Sequence, residues 1–471
     1  MIKKLWQKMF PAEPEEQQTE QVTVAPQLPK HQLKILQRAE HSVSRKKISK
    51  NALKVLYRLY GADYEAYLVG GGVRDILLGL SPKDFDIATS ATPEQVSKQF
   101  RNCRLIGRRF RLAHILFGRE IIEVATFRAS HENSSSQDAK LSEQGVLVRD
   151  NVYGNLEEDA FRRDFTINAL YYSAKDFTVL DHVGGLKDLE ARQLRLIGDP
   201  VARYREDPVR ILRAIRLSCK LDLRIEKSTK APIPKLAEML EHVSPARLWD
   251  ESHKLLLAGH ALDTWRAMRG YKVALHIFKQ TCASLRNDES GKFNQFVESA
   301  LANTDKRIHQ ELPVTPAFLF AVFLWRPQQV LAKKLSNKGL APYEASQKAA
   351  SKVIEKQRET IAIPKRFSLV VKEIWALQFQ LVNLRKRSVE RVSQHPRFRA
   401  AYDFLCLRAG DNQELKQLAQ WWTDYQEVSP EIRNIMVKKL GAPQQGKKGR
   451  SKKRPNRQRN KPRTRVDHDK H

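Results

Sequence analysis

Residues 68–75, Leu68-Val69-Gly70-Gly71-Gly72-Val73-Arg74-Asp75, put three consecutive glycines between an apolar run and an amphipathic one. Lys83-Asp84-Phe85-Asp86 follows shortly afterwards. Few folds tolerate that order. The run at 65–69 predicts a strand, 73–78 a helix, and 84–88 a second strand. Consecutive glycines between strand and helix let the backbone turn sharply and approach an anion closely. A helix at 49–59 and strands at 113–117 and 121–127 complete an α/β pattern, a mixed sheet with helices. The segment is neither a GxxxxGK[ST] phosphate loop nor a dinucleotide fingerprint, because the spacing differs.

In a strand, Asp84 and Asp86 project from one face while Phe85 and Ile87 face the core. Carboxylates about 6–7 Å apart on one face can hold two magnesium ions, which prefer oxygen ligands. Such a pair of ions clamps the attacking and leaving oxygens of a phosphoryl transfer. Gly70 and Gly71 would leave room for phosphates, and Arg74, in the first turn of the helix, would reach their oxygens. A solvent-facing pair at a strand end explains most lone D-x-D sequences; the glycine turn before it at this spacing argues for the site. Glu123, in the strand at 121–127, is a candidate third carboxylate.

The chain has 471 residues, a 41% apolar fraction and a formal net charge of +31. The size and apolar fraction fit a multidomain globular protein. The charge calls for a polyanionic partner, nucleic acid before a membrane surface, since no long apolar stretch is present. Cys103, Cys219, Cys282 and Cys406 share no metal-ligand spacing, which suits a reducing cytoplasm. Residues 1–10 are basic and amphipathic without a signal-peptide core. Residues 11–29 read as a linker and the Ser-rich stretch at 130–144 as a mobile loop. Beyond 199 the periodicity is helical, broken by turns such as Pro232-Ile233-Pro234. Residues 446–465 are Lys- and Arg-rich and cannot bury a core; this predicts a disordered basic tail that contacts phosphates. The predicted organisation is an extension over 1–43, an α/β head over 44–198, a helical neck over 199–260, a helical body over 261–440 and the tail over 441–471.

Two more segments accompany the glycine turn and D-x-D. They are Glu157-Glu158-Asp159-Ala160-Phe161-Arg162-Arg163-Asp164-Phe165-Thr166-Ile167-Asn168-Ala169-Leu170 and Arg205-Glu206-Asp207-Pro208-Val209-Arg210-Ile211-Leu212-Arg213-Ala214. Arg162 and Arg163 supply cations for a triphosphate. Asp164 can hold a ribose hydroxyl or complete the carboxylate set, both readings standing, and Asn168 can brace the turn. Asp207, Arg210 and Arg213, three apart, would lie along one helix face, either as a recognition surface or as surface ion-pair residues.

Together the four segments resemble the nucleotidyltransferase superfamily, in the branch that holds tRNA CCA-adding enzymes and bacterial poly(A) polymerases. The resemblance implies a nucleotidyltransferase head followed by an all-helical neck and body. It implies Asp84, Asp86 and Asp164 as catalytic, with the first two holding two Mg2+. Gly70, Gly71, Arg74, Arg162, Arg163, Asp207, Arg210 and Arg213 would bind the nucleotide, the last group reading its base edge. Within the branch, 105–115, Ser244-Pro245-Ala246-Arg247-Leu248 and 395–405 are similar to bacterial poly(A) polymerases. The implied activity is template-independent addition of AMP from ATP to RNA 3′ ends by direct in-line attack, releasing pyrophosphate. The implied partners are RNA 3′ ends of broad sequence and RNA-decay proteins, with a monomeric, cytoplasmic enzyme not inserted in membrane. A CCA-adding enzyme and a non-enzymatic RNA-binding protein are the alternatives; the intact carboxylates and arginines argue against the latter.

Overall fold

The computed structural model describes residues 32–107, 111–129, 139–141, 147–150 and 152–440. The readings of 1–10, 11–29 and 446–465, and Arg108-Arg109-Phe110 within 105–115, lie outside the described residues. So does most of 130–144, but Ala139–Leu141 within it is a strand, not loop.

Eight strands form one sheet: β1 (Lys34–Leu36), β2 (Ala66–Val69), β3 (Asp86–Thr89), β4 (Cys103–Ile106), β5 (Leu112–Phe117), β6 (Glu120–Thr126), and, after a separate β7 (Ala139–Leu141) and β8 (Leu147–Asp150) ladder, β9 (Leu170–Tyr172) and β10 (Val179–Asp181). Their spatial order is β1-β10-β9-β2-β3-β6-β5-β4. The β3–β6 pair runs parallel and the other pairs of this sheet antiparallel, so the sheet is mixed as expected. Helix α1 (Lys50–Tyr60) occupies the stretch its periodicity predicts. Ser49 caps it, and Ala52, Val55, Leu56 and Leu59 are buried.

The second strand is shorter than predicted. It starts at Asp86, leaving Asp84 and Phe85 in the preceding loop. The cause lies in the partner strand: β2 turns away at Gly70, so Val69↔Asp86 is the last pair of that ladder. Gly70 has φ +74°, in the left-handed region that favours glycine, and leads into α2 (Gly71–Leu77). Ile87, Ala88 and Thr89 are all buried, as in a central strand covered on both faces.

After α3 (Pro93–Gln99) and α4 (Leu156–Arg162), Asp181 receives the N–H groups of Val183, Gly184, Gly185 and Leu186 at the start of α5 (Gly185–Glu190). Helix α6 (Pro200–Glu206) is capped by Asp199 and followed by α7 (Val209–Leu221), α8 (Pro245–Leu256) and α9 (Ala261–Gly270). Short strands at Gln193–Leu194 and Arg224–Ile225 pair in parallel on either side of α6 and α7 in sequence, an element the helical periodicity beyond 199 conceals. Aromatic packing fills the helical core: Trp265 and Phe278 lie 4.9 and 4.7 Å, centroid to centroid, from Phe323.

The chain divides into two compact units, up to Lys372 and from Glu373 onward. The second has its own core of Leu377, Leu381, Val392, Phe398, Leu405 and Trp422, with the Trp422 indole N–H donating to the Leu381 carbonyl at 3.0 Å. No described helix is long and apolar enough to cross a membrane.

Gly185 is fixed by space rather than by turn conformation. A Cβ there would lie 2.2 Å from the Thr166 carbonyl oxygen, a backbone atom that cannot step aside. Gly185→Ala is expected to lower stability by about 3 kcal/mol. Gly79→Ala, at φ +78° with open space around it, should cost about 1 kcal/mol. Urea denaturation of both variants checks the ordering.

Candidate functional site

The site begins with strand register. Asp86 on β3 stands opposite Glu123 on β6, and Glu123 opposite His114 on β5. These neighbours share one face of the sheet. The His114 ring lies 3.3 Å, Nε2 to Oε1, from Glu123. Asp84, from the loop before β3, joins the same cavity, so the two aspartates and Glu123 line one wall. Strand alternation alone does not place both aspartates, but the structure brings them together with the third carboxylate.

Asp86 is the most deeply set of these three acidic groups. Burial, then Glu123 and Asp84, push the Asp86 carboxyl up to about 6, against the pull of Arg163 and Arg213. Gly70 borders this carboxylate: a Cβ there would lie 3.3 Å from Asp86 Oδ2 and 4.0 Å from Arg163 Nη1. The glycine turn thus keeps a gap open between an acid and a cation.

Arg163 follows α4. Its Nε and Nη2 donate to Asp159 Oδ2 at 3.1 and 2.9 Å, and Nε also donates to the Tyr171 hydroxyl at 2.8 Å. That hydroxyl donates in turn to Asp159 at 2.7 Å. One edge of the guanidinium is therefore held while Arg163 lines the cavity. Burial pulls its pKa down, but Asp159 and Tyr171 outweigh burial and raise it, so the side chain stays charged.

Asp164, the next residue, lines the same cavity. One oxygen accepts the Phe165 N–H at 2.8 Å and the Asn168 amide at 3.2 Å; the other pairs with Arg213 Nη2 at 2.6 Å. Burial pushes this carboxyl up, but Arg213, Asn168 and the Phe165 N–H together hold it below its ordinary value. Asn168 also accepts from Arg74 Nη1 at 2.6 Å, and Arg74 pairs with Asp75 at 2.6 Å. Arg74 lines the same cavity, though not from the first turn of its helix. It is the fourth residue of α2, buried, and committed to Asp75 and Asn168.

The 207–213 segment also departs from expectation. Asp207 is not on the helix with Arg210 and Arg213: it ends α6, and Pro208 starts a new helix. Asp207 accepts from Arg247 at 2.7 Å, while Arg210 donates to Glu206 at 2.7 Å and to the Arg203 carbonyl at 2.8 Å. Neither lines the cavity, nor does Arg162, whose guanidinium donates to the Ala129 carbonyl. Arg213 does line it.

Behind Arg213, the same face of α7 contributes Arg216 and Lys220, joined by Lys83 and by Lys254 of α8. The sequence motifs do not single these residues out. The spacing 213, 216, 220 is one helical stripe, and that periodicity was the available signal. The cavity, about 1010 Å3, thus has an acidic wall from the sheet and a basic wall from α7 and α8.

Among the described residues, no three His, Cys, Asp or Glu side chains are gathered tightly enough to form a metal cage by themselves. Two carboxylates opening on a cavity are nevertheless the donor set magnesium takes when substrate phosphates and water complete its shell. The raised Asp86 carboxyl fits this, because a cation would relieve the crowding of negative charge.

Comparison with known proteins gives one consistent result. Residues 66–195 match the family described as "Poly A polymerase head domain", 222–285 "Probable RNA and SrmB- binding site of polymerase A", and 338–461 "Polymerase A arginine-rich C-terminus". The chain is 48% identical over 431 residues to poly(A) polymerase I of Salmonella typhimurium, covering 90% of this chain and 92% of that one. It is 41% identical to a CCA-adding enzyme of Lacticaseibacillus paracasei over 207 residues, only 44% of this chain and 50% of that one. A crystal structure of the Bacillus stearothermophilus CCA-adding enzyme in complex with CTP shares the fold, with a TM-score of 0.53 and 21% identity over 83% of this chain and 87% of that one.

The Asp86 shift gives a signed test. A carboxyl raised from 3.8 to about 6 adds stability that is full below the unfolded value and fades as pH rises through 6. Asp86→Asn should therefore stabilise the metal-free protein at pH 8, by up to about 3 kcal/mol, and leave it unchanged near pH 4. Divalent cation should raise the melting temperature of the wild type more than that of the variant. Melts at the two pH values, with and without magnesium, read both effects.

Proposed function

The chain belongs to the poly(A) polymerase family of nucleotidyltransferases, and we propose that it adds AMP from ATP to RNA 3′ ends in the cavity between β3 and α7. Membership of the family implies ATP as substrate and divalent metal in general terms. The observation that carries the finer reading is the opposition of Asp84, Asp86 and Glu123 to the cations of α7 across one cavity. Two-metal phosphoryl transfer needs a carboxylate pair facing a place for a polyphosphate.

In this reading Asp84 and Asp86 hold two magnesium ions. When bound, the ions lower the pKa of the RNA 3′ hydroxyl and neutralise phosphate charge. The chain's own residues do the positioning. Gly70 and Gly71, without side chains, admit the triphosphate beside Asp86. Arg163, fixed by Asp159 and Tyr171, is preorganised to meet its oxygens. Arg213, Arg216 and Lys220 supply the positive surface along which polyphosphate and RNA approach. The 3′ oxygen forms a bond to the α-phosphorus, the bond from that phosphorus to the β-phosphate oxygen breaks, pyrophosphate leaves, and the hydroxyl proton goes to solvent. Asp164, held below its ordinary pKa by Arg213, stays ionised and orients that arginine.

The resemblance assigns adenine selection to Asp207 and Arg210; neither lines the cavity itself, and Arg247 and Glu206 hold them in place. The head at 44–198, neck at 199–260 and body at 261–440 are proposed as the functional division. Four free cysteines suit a reducing cytoplasm.

Asp84→Ala and Asp86→Ala should each lower adenylate transfer by at least about a thousandfold while leaving RNA affinity within about threefold of the wild type. Extension assays and fluorescence anisotropy of one labelled RNA read the two quantities; wild-type turnover by either variant contradicts the metal assignment.

A further inference from the structure

Three residues of the catalytic cavity, Arg119, Glu120 and Ile121, belong to the tip of the β5–β6 hairpin and take no part in the chemistry above. Ile121 and Glu123 lie two apart on β6 and share its face, while Ile122 between them is wholly buried on the other. Ile121 is 44% exposed, an aliphatic surface one step along the strand from the carboxylate wall. Arg119 is exposed and has neither an ion pair nor a side-chain hydrogen bond among the described residues. Glu120 is taken: its Oε2 accepts from Asn51 Nδ2 at 2.5 Å, which ties the tip to α1.

Sheet order fixes where this tip stands. Strands β2, β3 and β6 are neighbours in that order. The glycine turn leaves the end of β2, Asp84 precedes β3 and Asp86 starts it, and the hairpin tip precedes Glu123 on β6. The two aspartates therefore lie between the glycine turn and the hairpin tip. In-line displacement places the attacking and leaving oxygens on opposite sides of the phosphorus. With the triphosphate beside Gly70, Gly71 and Arg163, the attacking hydroxyl comes from the other side of the aspartates, over the hairpin. A cation without a partner suits one strand phosphate there, and a bare aliphatic face suits ribose and base. Glu120 is occupied by Asn51 and Ile121 is apolar, so Arg119 is the tip's one free polar side chain.

We propose that the β5–β6 hairpin tip seats the 3′ end of the acceptor strand, with Ile121 packed against the terminal nucleotide and Arg119 paired with the phosphate on its 5′ side. The assignment rests on the reading of this cavity as an RNA adenylation site. It gives the head its own hold on the strand, one that accepts any terminal base.

The test uses the full chain and a labelled single-stranded RNA of about six nucleotides, made with either a phosphate or an uncharged methylphosphonate as its last linkage. Anisotropy reads affinity, and extension reads KM for the strand and for ATP. With the phosphate strand, Arg119→Gln and Ile121→Ala should each weaken binding and raise the strand KM about tenfold, leaving KM for ATP within about twofold. The methylphosphonate should cost the wild type the same factor and cost Arg119→Gln nothing further, because one partner of the pair is already gone. The Ile121→Ala loss should be equal for strands ending in A, C, G or U, and Ile121→Leu, which keeps the aliphatic face, should restore the wild-type KM. Losses in Arg119→Gln of the same size on both strands would overturn the proposal, as would a parallel rise in KM for ATP or wild-type behaviour of Arg119→Gln and Ile121→Ala. If the wild type extends no RNA with any nucleoside triphosphate while the linkage-dependent loss of affinity persists, the strand-end seat stands and the polyadenylation reading falls.

Discussion

A buried carboxylate must find cations and N–H donors or give up its charge, and Asp164 meets Arg213 at 2.6 Å. That contact joins the turn after α4 to the middle of α7. From it a line of side chains runs back through Asn168 and Arg74 to Asp75, so the helix following the glycine turn is tied to the helix that supplies the basic wall. Breaking one partner of such a chain leaves a charge buried without compensation, which costs more than the pair contributes by its presence. The spacing of the two walls of the cavity follows from this network.

The walls themselves are of opposite kinds. The acidic wall is set by strand register, with Asp86 beside Glu123 because β3 and β6 pair in parallel at that position. Burial first, and then the neighbouring Glu123 and Asp84, raise the Asp86 carboxyl there. The basic wall is set by helical periodicity on α7. A nucleoside triphosphate with its cations complements both walls, offering metal to the carboxylates and phosphate to the guanidinium groups. In the proposed function, binding of substrate with its cations would relieve the charge that the fold leaves beside Asp86.

Much of this was legible in the sequence, for identifiable reasons. Glycines at 70–72 followed by Asp84 and Asp86 have few structural uses, and α1 and the strands near 65, 113 and 121 carry clear periodicity. The start of β3 was not legible, because it depends on where β2 leaves the ladder at Gly70, a property of the partner strand. The break at Asp207-Pro208 carries a local signal, proline at a helix start, that the three-residue spacing of Asp207, Arg210 and Arg213 masks. The commitment of Arg74 to Asn168 spans 94 positions in sequence and could not be read from local pattern. Arg216 and Lys220 were within reach, since they continue the stripe begun by Arg213.

The most direct measurement of the central claim is extension of one generic labelled RNA by the purified full chain with magnesium and each nucleoside triphosphate supplied separately. A long ladder with ATP, and little or none with CTP, GTP or UTP, is the expected result. Addition confined to a tRNA lacking its terminal CCA, and dependent on CTP, would contradict the account and assign the cavity to CCA addition.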